Sequence, residues 1–168
     1  WVYPDTRLEL SDKDYKKIKE YCKKIKIDLI VTPWDEKSVD SLLKIGVKYL
    51  KIASIDANNY HFCEYVASKK WPTIISTGMC TYNEILTTQK IFNKYKTPHI
   101  FLHCTSAYPS TEKDKNLNCI PKLRKILNED VGFSGHGTGI AGATGATSLG
   151  AKVIEKHVTL NKKMLGPD

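Results

Sequence analysis

Two histidines occupy matching places in this chain. The apolar residues 131–133 run into the polar cluster that holds His136, Val153 and Ile154 run into the one that holds His157, and nearly everything between is small. If both lie at adjacent strand ends, two imidazoles with water and substrate oxygens suit a borderline divalent ion such as manganese, zinc or iron better than magnesium alone. Glu155, two residues before His157 and on the same strand face, is placed to orient that ring or a metal-bound water. A second set is Lys51 with Thr32, Ser54, Ser76, Ser106 and Ser134, each at the end of a short apolar run. A lysine ringed by hydroxyls suits a small phosphorylated or carboxylated ligand, the ammonium as a point charge and the hydroxyls as hydrogen-bond donors. Taken singly, a serine there is an ordinary strand-end cap, and a single histidine is more often structural. His61, His99 and His103 are read in that structural way.

The segment 137–142 reads GTGIAG, a formal match to the dinucleotide-binding fingerprint, with Glu155 where a ribose-binding acid would follow. These glycines follow a histidine loop rather than the first strand of the chain. The competing account is that Gly139, Gly142 and Gly145, with the interleaved alanines, let a helix pack closely. A nucleotide-binding domain therefore stands as an alternative enzyme reading.

Elements of regular length must position these groups. Ser11 and Asp14 form a capping pattern ahead of Tyr15, Ile18, Cys22 and Ile25 at helical spacing. A run at 27–31 is stopped by Pro33, a helix over 36–45 closes at Gly46, and 47–54 reads as a strand. A helix over 61–70, a strand over 72–78, a Thr81/Glu84 capping box with its helix, a strand from His99 and a helix through Leu117, Ile120, Leu123 and Leu127 complete the series. The sum is six strand-then-helix units with tips near residues 32, 54, 76, 106, 134 and 157. Such alternation predicts a parallel α/β sheet with both faces covered. Polar residues at all six tips favour a (β/α)8 barrel over an open doubly wound sheet, where only the switch-point tips need polarity. A full barrel takes about 250 residues, so 168 residues predict a partial TIM barrel of six units as a single domain.

Composition narrows the partners. Hydrophobic content of 41% and charged content of 26% are globular values, and no apolar run approaches the ~18 residues of a membrane span. The five cysteines form no Cys-x-x-Cys pair, which predicts buried thiols in a reducing, cytoplasmic setting. The net charge of +8 is scattered over helical segments such as DKDYKKIKEYCKKIK, so it predicts steering of anionic substrates rather than a nucleic-acid groove.

Five blocks, KIASIDANN, IISTGM, LHCTSAYP, FSGHGTGI and GAKVIEKHVTLNKKMLGPD, together resemble the sialic acid synthases and their legionaminate and pseudaminate relatives. The resemblance runs in order over essentially the whole chain. It implies a (β/α)8 barrel that condenses phosphoenolpyruvate with N-acetylmannosamine or its 6-phosphate around a divalent metal, with Mn2+ first and Mg2+ second. Position by position it implies His136 and His157 as metal ligands. Thr32, Lys51, Ser54, Ser76 and Ser134 become phosphoenolpyruvate contacts, with Ser106 at a position that is asparagine in some members. It further implies Asp56 as a carboxylate near the reacting centre, and Tyr108 and Asp168 as sugar contacts. Lys51, Asp56 and Glu155 are the expected catalytic residues. Two departures bear on this: Ala53-Ser54-Ile55 replaces the usual Gly-Ser-Gly, with Ile55 expected to crowd the pocket, and SGHG replaces the bacterial SDHT. By the same resemblance the family's first two strands and its C-terminal antifreeze-like domain fall outside these residues, and the parent is expected to be a homodimer. The segment alone is then expected to be inactive. A catalytically dead barrel that binds sugar phosphate is the non-enzyme alternative.

Overall fold

The computed structural model of the protein describes residues 10–161 and 163. Helix α1 (Asp12–Lys24) starts at the Ser11/Asp14 capping box, in which Ser11 Oγ accepts from the Asp14 amide and the Asp14 carboxylate accepts from the Ser11 amide. Strand β1 (Ile30–Val31) and helix α2 (Glu36–Ile45) follow, the helix capped by Asp35 and closed by Gly46 in the left-handed conformation at φ 80°. Next come β2 (Tyr49–Ile52), α3 (Tyr60–Ser68), β3 (Thr73–Ser76) and α4 (Tyr82–Tyr95), whose Thr81/Glu84 capping box is also formed. The series ends with β4 (His99–Cys104), α5 (Cys119–Leu127), β5 (Val131–Gly135), α6 (Ala141–Ser148) and β6 (Ile154–Lys156).

All six strands are parallel and pair in chain order, β1-β2-β3-β4-β5-β6. This is the half-barrel topology expected of the alternating sequence, since each crossover helix returns the chain to the same sheet end. Among the described residues β1 pairs only with β2 and β6 only with β5, so the sheet is open on both sides.

Alternate strand residues divide the two faces. Leu50, Ile52, Ile75, Phe101, Val131 and Phe133 turn outward into one cluster with Val39, Phe62, Val66, Phe92, Ile120 and Leu123 of the helices. Two buried polar side chains of the helices bond to backbone at this layer: Thr88 Oγ1 donates to the Ala57 carbonyl at 2.6 Å and Gln89 Nε2 to that of Leu127 at 2.9 Å. His99 and His103 belong here as well, as the sequence implied. Nδ1 of His99 lies 2.9 Å from the Thr97 carbonyl, and Nε2 of His103 lies 2.8 Å from that of Lys115.

Three expectations are corrected. The run at 27–31 yields a strand of only two residues, because it lies at the sheet margin with Ile27 60% and Ile30 41% exposed. Helix α1 forms as expected, with α2 packed beside it, yet none of its residues is fully buried among the described residues. Ile55 does not crowd the pocket: residues Ser54–Asp56 form a 3-10 turn and Ile55 stands 58% exposed. Phe101, 1% exposed at the centre of the outward layer, sets the scale of the core. Phe101→Ala should cost about 3–5 kcal/mol in urea denaturation, against less than about 0.5 kcal/mol for a substitution at solvent-exposed Lys90.

Candidate active site

The inward parity brings the chemistry together at the C-terminal ends of the strands. Lys51 on β2 is 7% exposed, and its Nζ donates to Ser76 Oγ on β3 at 2.9 Å and to the Ile52 carbonyl at 3.1 Å. Across the sheet, Cys104 pairs in register with Ser134, and Ser134 with Glu155. Ser134 Oγ donates to Glu155 Oε1 at 2.7 Å, and that oxygen stands 3.6 Å from Lys51 Nζ. One polar network thus joins β2, β3, β5 and β6 over the inside of the curved sheet. Burial lowers the pKa of Lys51, and the negative charge of Glu155 opposes the shift.

Ser54 closes the network from the 3-10 turn, its Oγ accepting from the Gly78 amide at 3.0 Å. Ser106 lies over the same glycine, where an added Cβ on Gly78 would fall 2.5 Å from Ser106 Oγ. The Ser106 hydroxyl is buried and, among the described residues, has no hydrogen-bond partner. A buried hydroxyl left in this condition costs about 1–3 kcal/mol, which a bound oxygen would recover.

His136 follows β5 directly and is 7% exposed, while His157 follows β6 at the open margin. Their rings meet edge to face with centroids 4.8 Å apart, and the Tyr108 ring lies 4.1 Å from His136 and 6.2 Å from His157. Among the described residues no third His, Cys, Asp or Glu completes a metal cluster. Two imidazoles alone fit an ion that keeps open positions for water and substrate oxygens, and they do not fit a closed structural site.

The remaining expected residues lie further off. Thr32, one step beyond the Val31–Leu50 rung, lines a cavity of about 460 Å³ with Tyr15, Trp34, Asp35 and Ser38. Asp56 ends the 3-10 turn, where its Oδ1 accepts from Asn59 Nδ2 at 3.4 Å beside the start of α3. Asp168 lies outside the described residues. Glu155 is expected to orient the His157 ring or a metal-bound water; its Oε1 accepts from Ser134 Oγ and lies 3.6 Å from Lys51 Nζ.

Sequence reasoning missed two participants. Cys104 shares the inward parity, and its Sγ would touch an added Cβ on Gly78 at 3.1 Å; the alternation with Leu102 was the available signal. Lys115 is 3% exposed and packs against Gly137 and Gly142. Nothing in the charged run EKDKN distinguishes this lysine from a solvated one. The glycine segment 137–142 is likewise settled by packing: Gly142 and Gly145 are approached by Lys115 and Leu117, whereas Gly139 has open space around it, contrary to the packing role expected there.

Known proteins resemble this chain over nearly its whole length. A family model described as the NeuB family matches residues 5–168. The chain is 41% identical over 166 residues to N,N'-diacetyllegionaminic acid synthase of Legionella pneumophila, covering 96% of this chain and 47% of that protein. It is 38% identical over 162 residues to the mouse N-acetylneuraminate-9-phosphate synthase, covering 96% and 45%. A crystal structure of N-acetylneuraminic acid synthetase from Leptospira borgpetersenii in complex with citrate superposes with a TM-score of 0.89 at 38% identity, over 91% of this chain and 54% of that one. The chain spans about half the length of these relatives.

The depressed Lys51 pKa gives a test of the network. An unfolded lysine keeps its proton up to about 10.5, while the folded one releases it earlier. Between the two values the unfolded chain binds more protons, so stability rises with pH there. Below both values the cost of the buried charge is fully present. Urea midpoints measured from pH 8 to 10.5 should therefore rise for the wild type relative to Lys51→Met. A difference that stays constant across that range refutes the assignment.

Proposed function

The chain belongs to the NeuB family, and from that premise we propose that the protein is a nonulosonic acid synthase that condenses phosphoenolpyruvate with N-acetylmannosamine or its 6-phosphate. The observation that carries this is the buried Lys51 ammonium, held by Ser76 and Glu155 inside a ring of strand-end hydroxyls. Lys51 supplies the countercharge for the carboxylate and phosphate of phosphoenolpyruvate, whose oxygens hydrogen-bond Ser54, Ser76, Ser134 and the Ser106 hydroxyl, which has no partner among the described residues. Thr32, just after β1, is the expected phosphoenolpyruvate contact that lines a separate hollow instead.

In the condensation, C3 of phosphoenolpyruvate forms a bond to the sugar aldehyde carbon, water adds at C2, and the C–O bond to phosphate breaks to release inorganic phosphate. Glu155 favours the charged form of Lys51 and orients it toward the anionic groups of phosphoenolpyruvate. Asp56 handles the proton at the attacking water or a sugar oxygen, and Tyr108 and Asp168 bind the sugar. His136 and His157 would hold a divalent ion, Mn2+ in this reading, which would supply Lewis-acid polarisation of the sugar carbonyl. A cytoplasmic setting and a homodimeric parent belong to the same reading. A legionaminate or pseudaminate precursor is the second substrate class, favoured by the 41% identity to the Legionella enzyme.

The test is phosphate release by protein expressed from its full reading frame, with each candidate sugar and phosphoenolpyruvate, with and without Mn2+. Lys51→Ala should lower kcat/KM by at least about 100-fold, the loss expected on removing an electrostatic contact in the transition state. The His136→Ala/His157→Ala double variant should lose Mn2+ stimulation. Unchanged turnover in either variant refutes the role assigned to those residues, and protection of the protein by NAD but not by phosphoenolpyruvate would revive the nucleotide-binding alternative.

A further inference from the structure

The turn that carries His136 is held from three sides. Its outer face meets the loop between β4 and α5: the Ser110 amide donates to the His136 carbonyl at 3.1 Å. From β6, Lys156 Nζ donates to the Gly137 carbonyl. The third hold is made by the stem of Lys115. A Cβ added to Gly137 would fall 2.7 Å from Lys115 Cε, and one added to Gly142 would fall 2.8 Å from Cδ and 3.0 Å from Cε. The lysine therefore occupies the volume that side chains at these two positions would need.

Lys115 is itself well anchored. Its carbonyl lies 2.8 Å from His103 Nε2, and the preceding carbonyl, of Asp114, accepts from Thr105 Oγ1 at 2.9 Å. The side chain is 4% exposed and its Nζ pairs with Glu112, which is 68% exposed. That is the arrangement of an amphipathic side chain whose hydrocarbon fills a groove while its head reaches a carboxylate at the surface. The same loop carries Tyr108, whose ring lies 4.1 Å from His136.

We infer that Lys115 is a positioning residue: its stem, seated over Gly137 and Gly142, locks the His136 turn to the Tyr108 loop and so fixes the direction of the imidazole. The consequence for metal binding rests on the metal reading above, while the geometry does not. Groups that orient a metal-ligating histidine change metal affinity by about 10- to 100-fold when lost.

Protein expressed from its full reading frame and freed of metal separates the two. Amide hydrogen exchange over residues 136–142 reads the turn, and calorimetric titration with Mn2+ reads the ligand. Lys115→Ala, which empties the groove, should speed exchange over 136–142 by about tenfold and weaken Mn2+ binding by about tenfold. Lys115→Met, which keeps the stem without the charge, should stay within about threefold of wild type in both. Wild-type exchange in Lys115→Ala overturns the proposal, as does exchange in Lys115→Met as fast as in Lys115→Ala. If Lys115→Ala does not fold, Gly142→Ala displaces the stem from the other side and must speed exchange over the same residues, and its failure to do so overturns the proposal. Failure of the wild type to bind Mn2+ overturns only the metal reading, because the exchange comparison still decides the role of Lys115.

Discussion

Each strand of a parallel sheet sends alternate side chains to opposite faces, and the polar network of this site follows from how that alternation is occupied. The outward positions, among them Leu50, Ile52, Ile75, Phe101 and Phe133, are locked against helices α2 to α5. With that face filled, the inward positions at the strand ends carry Lys51, Ser76, Cys104, Ser134 and Glu155. A slip of one residue in any strand would drive polar groups into the helix layer and apolar groups into the site. Core packing and site assembly are therefore one constraint.

The inward face holds an ammonium nearly out of contact with water. Its desolvation is offset by one carboxylate at 3.6 Å, two oxygen acceptors and a neighbouring hydroxyl bonded to that carboxylate. This is a partial compensation, since the lysine pKa is still pulled downward. An anionic ligand would supply what is missing. The Ser106 hydroxyl, which has no partner among the described residues, tells the same story for hydrogen bonding, so two independent deficits converge on one place. Sites arranged for substrate commonly retain such costs in the free protein.

Around the histidines the loops matter more than the strands. Tyr108, Ser110 and Lys115 all come from the β4–α5 connection, and all three meet the turn that follows β5. The glycines of 137–142, which look like a phosphate cradle when read alone, leave room for a neighbouring side chain. At the opposite end of the strands a hollow of about 400 Å³ is lined mostly by apolar groups, among them Tyr49, Pro72, Ile74, Ile100 and Val153.

The sequence by itself determined the order and type of the elements, both capping boxes, the placement of Lys51 and the serines at the ends of short apolar runs, and the family resemblance. Those signals are local: a cap spans three residues, a strand period two, and a parallel sheet follows from the alternation of the two kinds of element. Only the tertiary structure decided which groups actually meet. Glu155 turned to Lys51, 104 residues away, and Ser134, Ile55 was left in solvent, Thr32 faced a different hollow, and Lys115 was buried although its neighbours Lys113 and Asp114 are exposed. The physical reason is that a side-chain contact between distant residues depends on register, sheet curvature and loop path, and none of these is written in the spacing of residues along one element.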